Sequence, residues 1–88
     1  MRLKYDFKEM KLNNITVAVP VGENVEGFHN IIKMNDTALE IYKLLKEDTT
    51  EEQIVDTLSE EYNVDKVTLM ADVKRFIQAL REKGFVAE

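Results

Sequence analysis

Apolar and charged residues alternate along the first third of the chain. In residues 5–12 the alternation is imperfect, and Asn13-Asn14 follows, a residue type that tolerates positive φ in a tight turn. In residues 15–21 the large apolar side chains recur at every second position and share one face, which carries Ile15, Val17, Val19 and Val21. This pattern predicts a β-hairpin, with Pro20 at a sheet edge or a strand end because proline has no N–H to donate.

A third strand is predicted at residues 28–34, after a loop that contains two glycines. Ile32 and Met34 fall on one face of this strand, and Ile31 falls on the other. Asn35 is a favourable helix N-cap, so it is predicted both to end the strand and to begin a helix. This explains why two apolar runs meet here without a longer loop.

Three helices are predicted in the rest of the chain. The first begins after Asn35, and the second begins at Thr50, which forms a capping-box pattern with Gln53. Asn63 is expected to close the second helix in a left-handed conformation, and the third helix begins at Asp65. Apolar side chains recur at helical spacing in all three: Ala38, Ile41, Tyr42 and Leu45, then Ile54, Val55, Leu58 and Tyr62, then Leu69, Val73, Phe76, Ile77 and Leu80.

The predicted order is three strands followed by three helices (β-β-β-α-α-α). Such an order is typical of an α+β fold, in which a three-stranded antiparallel sheet packs beside a three-helix bundle. At 88 residues the chain is predicted to be one domain, residues 1–88, with one core. A three-stranded sheet has two edges, and unpaired edges invite pairing with another chain.

The composition limits the catalytic and metal-binding chemistry that the side chains can support. The chain has no cysteine, so disulfides, thiolate metal ligands and cysteine nucleophiles are excluded. Its one histidine, His29, has no nucleophile partner in the sequence and is interpreted as an ordinary strand residue. No glycine-rich phosphate loop and no metal-ligand spacing is present, so we expect no cofactor and no enzymatic activity. No apolar run reaches the length of a signal peptide or membrane span, and we expect a cytoplasmic protein without membrane contact.

Charge is distributed unevenly along the chain. Residues 1–34 carry five basic and four acidic side chains, whereas residues 35–88 carry seven basic and thirteen acidic ones. Because cations that neutralise phosphates supply most nucleic-acid affinity, we expect no nucleic-acid partner for this acidic helical region. The rival interpretation is a helix-turn-helix DNA-binding regulator whose third helix supplies the phosphate contacts, Lys66, Lys74, Arg75, Arg81 and Lys83.

The third strand carries the main functional hypothesis. If it lies at a sheet edge beside the third helix, its free N–H and C=O groups offer a template for an extended peptide, and the helix offers pockets for side chains. The alternative is that residues 22–28 or a second copy of the chain cover this edge. Periodicity alone favours neither.

Several segments together resemble the family of the pyrroloquinoline-quinone biosynthesis protein D (PqqD). They span residues 17–87 and include Val19-Pro20-Val21, "MNDTALEIYKLL" at 34–45, "TTEEQIVDTL" at 49–58, "EEYNV" at 60–64 and "DVKRFIQALREKGFV" at 72–86. The resemblance implies a winged helix-turn-helix-like domain that recognises peptide in place of DNA. Such recognition elements bind the leader segment of a ribosomally made precursor peptide and present it to a modifying enzyme, often a radical S-adenosylmethionine enzyme.

The resemblance also implies where the leader would bind, namely as an added strand beside the third strand and against the third helix. The strand contacts carried onto this chain are Phe28, His29, Asn30, Ile31, Ile32 and Lys33. The helix contacts are Val73, Lys74, Phe76, Ile77, Leu80 and Arg81. Phe76 and Leu80 both lie on the apolar stripe, and the pattern leaves open which of them faces the leader and which the core.

Three cations of this set, Lys33, Lys74 and Arg81, are candidates to pair with acidic residues of the leader. The open sheet edge is also a candidate for pairing with a second copy, as a homodimer. The resemblance supports the mechanism of recognition but does not indicate which precursor or which modification is served.

Overall fold

The computed structural model describes residues 1–22 and 31–88 of the chain. Within them, the predicted order of strands and helices is present, with one addition at each end. The elements are β1 (Arg2–Leu3), β2 (Asp6–Leu12), β3 (Ile15–Val21), β4 (Ile32–Met34), α1 (Asp36–Leu44), α2 (Glu51–Tyr62), α3 (Lys66–Glu82) and β5 (Val86–Ala87). The predicted α+β fold is confirmed.

The main sheet is antiparallel with strand order β2-β3-β4. Asn13 takes a φ of 57° in the two-residue turn between β2 and β3, as its residue type predicts. β4 pairs with Thr16, Val17 and Ala18. The described pairing thus ends before Pro20, near the end of β3, where the missing N–H interrupts no β3–β4 bond. The predicted third strand is shorter than expected: Ile31 precedes it, and residues 28–30 lie outside the described residues.

The residues predicted to cap the helices form the caps in the structure. Asn35 Oδ1 accepts a hydrogen bond of 2.9 Å from the Ala38 N–H, which fixes the start of α1 directly after β4. Thr50 and Asp65 cap α2 and α3 in the same way. Asn63 closes α2 with a φ of 52°, the predicted left-handed conformation.

A small two-stranded ribbon, β1 paired with β5, is the element that the sequence does not predict. The Leu3 N–H donates to the Leu45 carbonyl at 2.8 Å, and the Lys4 N–H donates to the Phe85 carbonyl at 2.8 Å. Gly84 reverses the chain after α3 with a φ of 76°, a conformation that glycine adopts without steric penalty. Strands of two residues are too short for a periodic pattern to reveal.

The core lies between the main sheet and the three helices. The sheet contributes its inner face, and the helices contribute one stripe each; the buried cluster comprises Ala18, Ile32, Met34, Ile41, Tyr42, Leu45, Ile54, Val55, Leu58, Leu69, Val73, Ile77, Leu80 and Phe85. Because Ala18 belongs to this cluster, the alternate residues of β3 point away from the helices. The predicted stripe of Ile15, Val17, Val19 and Val21 therefore forms the outer face of the sheet.

Candidate functional site

The β4 edge of the main sheet is the first component of the candidate site; residues 23–28, a candidate cover of this edge, lie outside the described residues. β4 is a terminal strand of the sheet, so it has a strand neighbour on the β3 side only within the described part of the chain. There, its three residues make no backbone hydrogen bond to any element other than β3. Unpaired backbone groups on such an edge are a template for an incoming strand.

A groove begins where this edge ends, because Asn35, which directly follows β4, is one of its lining residues. The groove has a volume of about 340 Å³ and runs between the first turns of α1 and the middle of α3. It is lined by Asn35, Thr37, Ala38, Ile41, Asp72, Arg75, Phe76 and Ala79. Ile41 is buried and Phe76 is half-buried, so the inner part of the groove is apolar.

The charged groups of the groove form a pair. Arg75 Nη1 lies 3.3 Å from Asp72 Oδ1 across one turn of α3, and both side chains are exposed. An exposed pair of this kind contributes little to stability and leaves both groups accessible to a ligand. The groove therefore combines an apolar floor with a rim that has no net charge.

The strand residues implied by the resemblance lie in different environments. Ile31 is half-buried, Ile32 belongs to the core and is 2% exposed, and Lys33 is exposed on the outer face. Phe28, His29 and Asn30 lie outside the described residues. A contact through the backbone of β4 does not depend on these side-chain directions, and the set stays a prediction as peptide contacts.

The helix residues implied by the resemblance separate into two groups. Val73, Ile77 and Leu80 lie in the core with exposures of 0%, 0% and 1%. Among the remaining three, Phe76 lines the groove, Lys74 is exposed, and Arg81 lies near the end of the chain. In the structure Leu80 packs in the core and Phe76 borders the groove, and their roles toward a leader stay a prediction.

The three candidate cations are not gathered in the groove. Arg81 Nε lies 2.6 Å from Glu88 Oε1, a hydrogen bond that raises the pKa of Arg81 and lowers the pKa of Glu88. Lys33 projects from the outer face of the sheet, and the cation that lines the groove is Arg75.

Seven groove residues were missed from the sequence: Asn35, Thr37, Ala38, Ile41, Asp72, Arg75 and Ala79. A usable signal exists in α3, because residues 72, 75, 76 and 79 recur at helical spacing, one position before the core stripe at 73, 77 and 80. This second stripe mixes polar and apolar residues, so the uniformly apolar core stripe gave the clearer helical pattern.

A second cleft borders the other edge of the sheet. It has a volume of about 600 Å³ and lies beside β1 and β2, with Tyr42 and Lys46 at the end of α1. Nearby, Glu9 accepts hydrogen bonds from Tyr42 Oη at 3.1 Å and from Lys46 Nζ at 3.0 Å. The bond from Lys46 is the main cause of a lowered pKa of Glu9, whereas burial is the main cause of a raised pKa of Tyr42. This cluster ties β2 to α1.

The metal-ligating groups, the helix lengths and the cations of the described residues bear on the other interpretations of the sequence. Residues 1–22 and 31–88 contain no group of three metal-ligating side chains, and none of their helices is long and apolar enough to cross a membrane. Of the five cations proposed for a DNA-reading helix, Lys66 is paired with Asp56, Arg75 with Asp72, and Arg81 with Glu88. Binding of DNA would require these cations to exchange their exposed carboxylate partners for phosphates.

Comparisons with known proteins agree with this fold. The sequence model of the family described as coenzyme PQQ synthesis protein D (PqqD) matches residues 17–86. Among solved structures, the fold is similar to that of TbiB1, determined in complex with the TbiA(beta) leader peptide, with a TM-score of 0.72, 23% sequence identity and 100% of each chain covered. No curated protein matches the sequence.

Proposed function

The chain belongs to the PqqD family, and from this membership we propose that it binds the leader segment of a ribosomally made precursor peptide. It acts without catalysis of its own: the leader is held as an added strand along the free edge of β4, and its side chains enter the groove beside α3. TbiB1, which shares the fold, was solved with a leader peptide.

The observation that carries the proposal is the continuity of edge and groove. The backbone edge of β4 ends at Met34, and the next residue, Asn35, already lines the groove. A strand paired with β4 would therefore run directly toward the apolar floor at Ile41 and Phe76. Backbone hydrogen bonds would supply affinity, and the groove would select the side chains of the leader.

Leader binding would serve the modification of the rest of the precursor. A domain that holds the leader and also contacts a modifying enzyme raises the effective concentration of the precursor at that enzyme, to the order of mM for short flexible connections. The family membership suggests a radical S-adenosylmethionine enzyme as this partner. The step would take place in the cytoplasm, where the precursor is synthesised.

Self-association through the same edge would compete with this function. If two copies paired along β4, the leader would have to displace one copy, and leader affinity would fall as protein concentration rises. Leader binding measured at two protein concentrations separates these states.

The groove is tested by filling it. Ala79 and Ala71 are both exposed on α3, but only Ala79 lines the groove. The ligand is a fluorescently labelled synthetic leader peptide. We expect Ala79→Trp to weaken binding at least tenfold, which is about 1.4 kcal/mol, and Ala71→Trp to leave the affinity within about twofold. Equal affinities of the two variants would remove the groove from the proposal.

The strand-addition mode is tested on the ligand. A leader with N-methyl groups at alternate backbone positions cannot donate to a strand edge, yet it keeps every side chain. Methylation at the positions whose N–H points toward β4 should abolish binding, whereas methylation at the positions between them should be tolerated. Equal tolerance in both sets would contradict strand addition, even if the groove variants behaved as expected.

A further inference from the structure

The outer face of the main sheet is the strongest feature that leader binding leaves unused. We define this outer face by its six apolar residues, Met10 and Leu12 of β2 with Ile15, Val17, Val19 and Val21 of β3. They adjoin one another in the sheet, because Met10 is registered with Val17, and Leu12 with Ile15. The described helices, all within residues 31–88, pack on the opposite face of the sheet and do not cover this apolar stripe.

Exposure of this stripe is greatest at its ends, whereas Val17 in its middle is 8% exposed and Val19 is half-buried. Met10 is 49% exposed, Leu12 56%, Ile15 44% and Val21 43%. Single exposed apolar residues need no explanation, but Met10, Leu12 and Ile15 adjoin one another, and an exposed apolar group of this kind can serve as an interaction surface. β-Branched residues here also stabilise the strands, yet that role does not require Met10 and Leu12 to share the face.

Among the described residues, two of the three charged side chains on this face are positive, although the chain as a whole carries a net charge of −5. Lys8 is registered with Val19, and Lys33 with Val17, so both lysines share the outer face with the apolar stripe. Among residues 1–22 and 31–88, no carboxylate lies within ion-pair distance of either lysine. Asp6 is the acidic residue at one end of the face.

The charges of the face argue against a second copy as its occupant. Two copies packed face to face would bring Lys8 and Lys33 of both copies into one interface, where like charges repel.

We propose that the outer sheet face is a docking surface for a partner protein that presents an apolar strip bordered by carboxylates. Lys8 and Lys33 pair with those carboxylates, and Met10, Leu12 and Ile15 cover the apolar strip. This surface lies on the face of the sheet that points away from the helices and the groove. A partner can therefore occupy it while a leader is bound along the β4 edge. The inference goes beyond leader binding and stands without it.

Two synthetic helical peptides test the charge preference. Both have 14 residues with leucine at the same positions, and the polar positions are all glutamate in one and all lysine in the other. The net charge of −5 favours the lysine peptide at any non-specific site. We expect the glutamate peptide to shift the amide resonances of residues 8–12 and 15–19, and the lysine peptide to leave them unchanged. Shifts of these residues by the lysine peptide alone, or by neither peptide, would overturn the proposal.

Matched variants locate the contact. Lys8 and Lys11 are both exposed on β2 but lie on opposite faces of it. Lys8→Glu should weaken binding of the glutamate peptide at least fivefold, and Lys11→Glu should change it less than twofold. Equal losses would mean that general charge, and not this face, is responsible. Sedimentation of the protein alone provides one further outcome: a dimer that Ile15→Ser dissociates would overturn the proposal in favour of a second copy.

Leader affinity measured on the same variants keeps this proposal separate from the proposed function. Lys8→Glu lies away from the β4 edge and should leave leader affinity unchanged. If the glutamate peptide binds while no leader does, the docking surface stands and leader binding fails. If a leader binds while the glutamate peptide does not, the docking surface fails alone.

Discussion

Two adjoining stripes of α3 lie in different environments, one buried in the core and one open to solvent. The core stripe, Leu69, Val73, Ile77 and Leu80, is almost fully buried between the sheet and the other helices. The groove stripe, Asp72, Arg75, Phe76 and Ala79, lies beside it and remains open to solvent along most of its length. If a leader binds in the groove, its binding by this helix is largely separable from stability, because Asp72, Arg75 and Ala79 lie outside the core stripe. Phe76 belongs partly to both stripes.

The largest expected effect is the loss of the core stripe. Replacing Ile77 by Ala leaves a cavity in a side-chain environment that is 0% exposed, and we expect the free energy of unfolding to fall by about 2–5 kcal/mol. Gln78→Ala, at the next and exposed position, should change it by no more than about 0.5 kcal/mol. Urea unfolding of both variants gives the comparison. A loss below about 1 kcal/mol for Ile77→Ala would mean that the core stripe is wrongly assigned.

Phe76 tests the border between the two stripes, since it is half-buried, contacts the core cluster and lines the groove. Phe76→Ala should cost less stability than Ile77→Ala but should weaken leader affinity about tenfold, or roughly 1.4 kcal/mol. Urea unfolding and fluorescence anisotropy on the same preparations measure both quantities. Unchanged leader affinity in a folded Phe76→Ala protein would place the ligand elsewhere.

Two helix caps, Asn35 and Thr50, allow a matched comparison. Replacing either should lower stability, but replacing only one of them should lower leader affinity. Asn35→Ala and Thr50→Ala each remove one capping hydrogen bond, at 2.9 Å and 3.1 Å, and each should cost about 0.5–2 kcal/mol of stability. Asn35 also lines the groove at the end of β4, so only its replacement should lower leader affinity. Equal leader affinities in the two variants would show that the mouth of the groove is not used.

The smallest expected effect is the pH dependence from Glu9, which lies away from both stripes of α3. The folded pKa of Glu9 lies below its ordinary value of 4.5, chiefly because of the Lys46 hydrogen bond. Its contribution is therefore present above pH 4.5 and is lost as pH falls through the folded pKa. On acidification, the free energy of unfolding should fall less in Glu9→Gln than in wild type. The difference should be below about 1 kcal/mol, since the pair is partly exposed.

Urea unfolding of wild type and Glu9→Gln at several values between pH 7 and pH 3 measures this difference. The two proteins should approach each other in stability at the acid end. A constant difference at every pH would mean that Glu9 acts through the shape of its side chain and not through its charge.

The sequence was most informative where one local interaction decides the structure. Single residues mark the turn and the helix ends, because a capping oxygen or a tolerance of positive φ acts on the backbone within three residues. These residues are Asn13, Asn35, Thr50, Asn63 and Asp65. These signals, with the helical and strand periods, were enough to predict the α+β fold.

The sequence was least informative where one element presents two usable faces. The period of β3 separates Ile15, Val17, Val19 and Val21 from Thr16, Ala18 and Pro20, but period alone does not say which face meets the helices. The less apolar set is the one that meets the core, because Ala18 belongs to the buried cluster beside Ile32 and Met34. Likewise the apolar stripe of α3 led to Val73 and Ile77, while the groove residues beside them were missed.

The most direct test of leader binding is an amide-shift NMR titration of the whole chain with the synthetic leader. If the leader adds to β4 and enters the groove, the shifts will concentrate in residues 31–38 and 72–79, while residues 6–12 on the opposite edge stay unchanged. Shifts concentrated in residues 6–12, or no shifts at saturating peptide, would contradict the account.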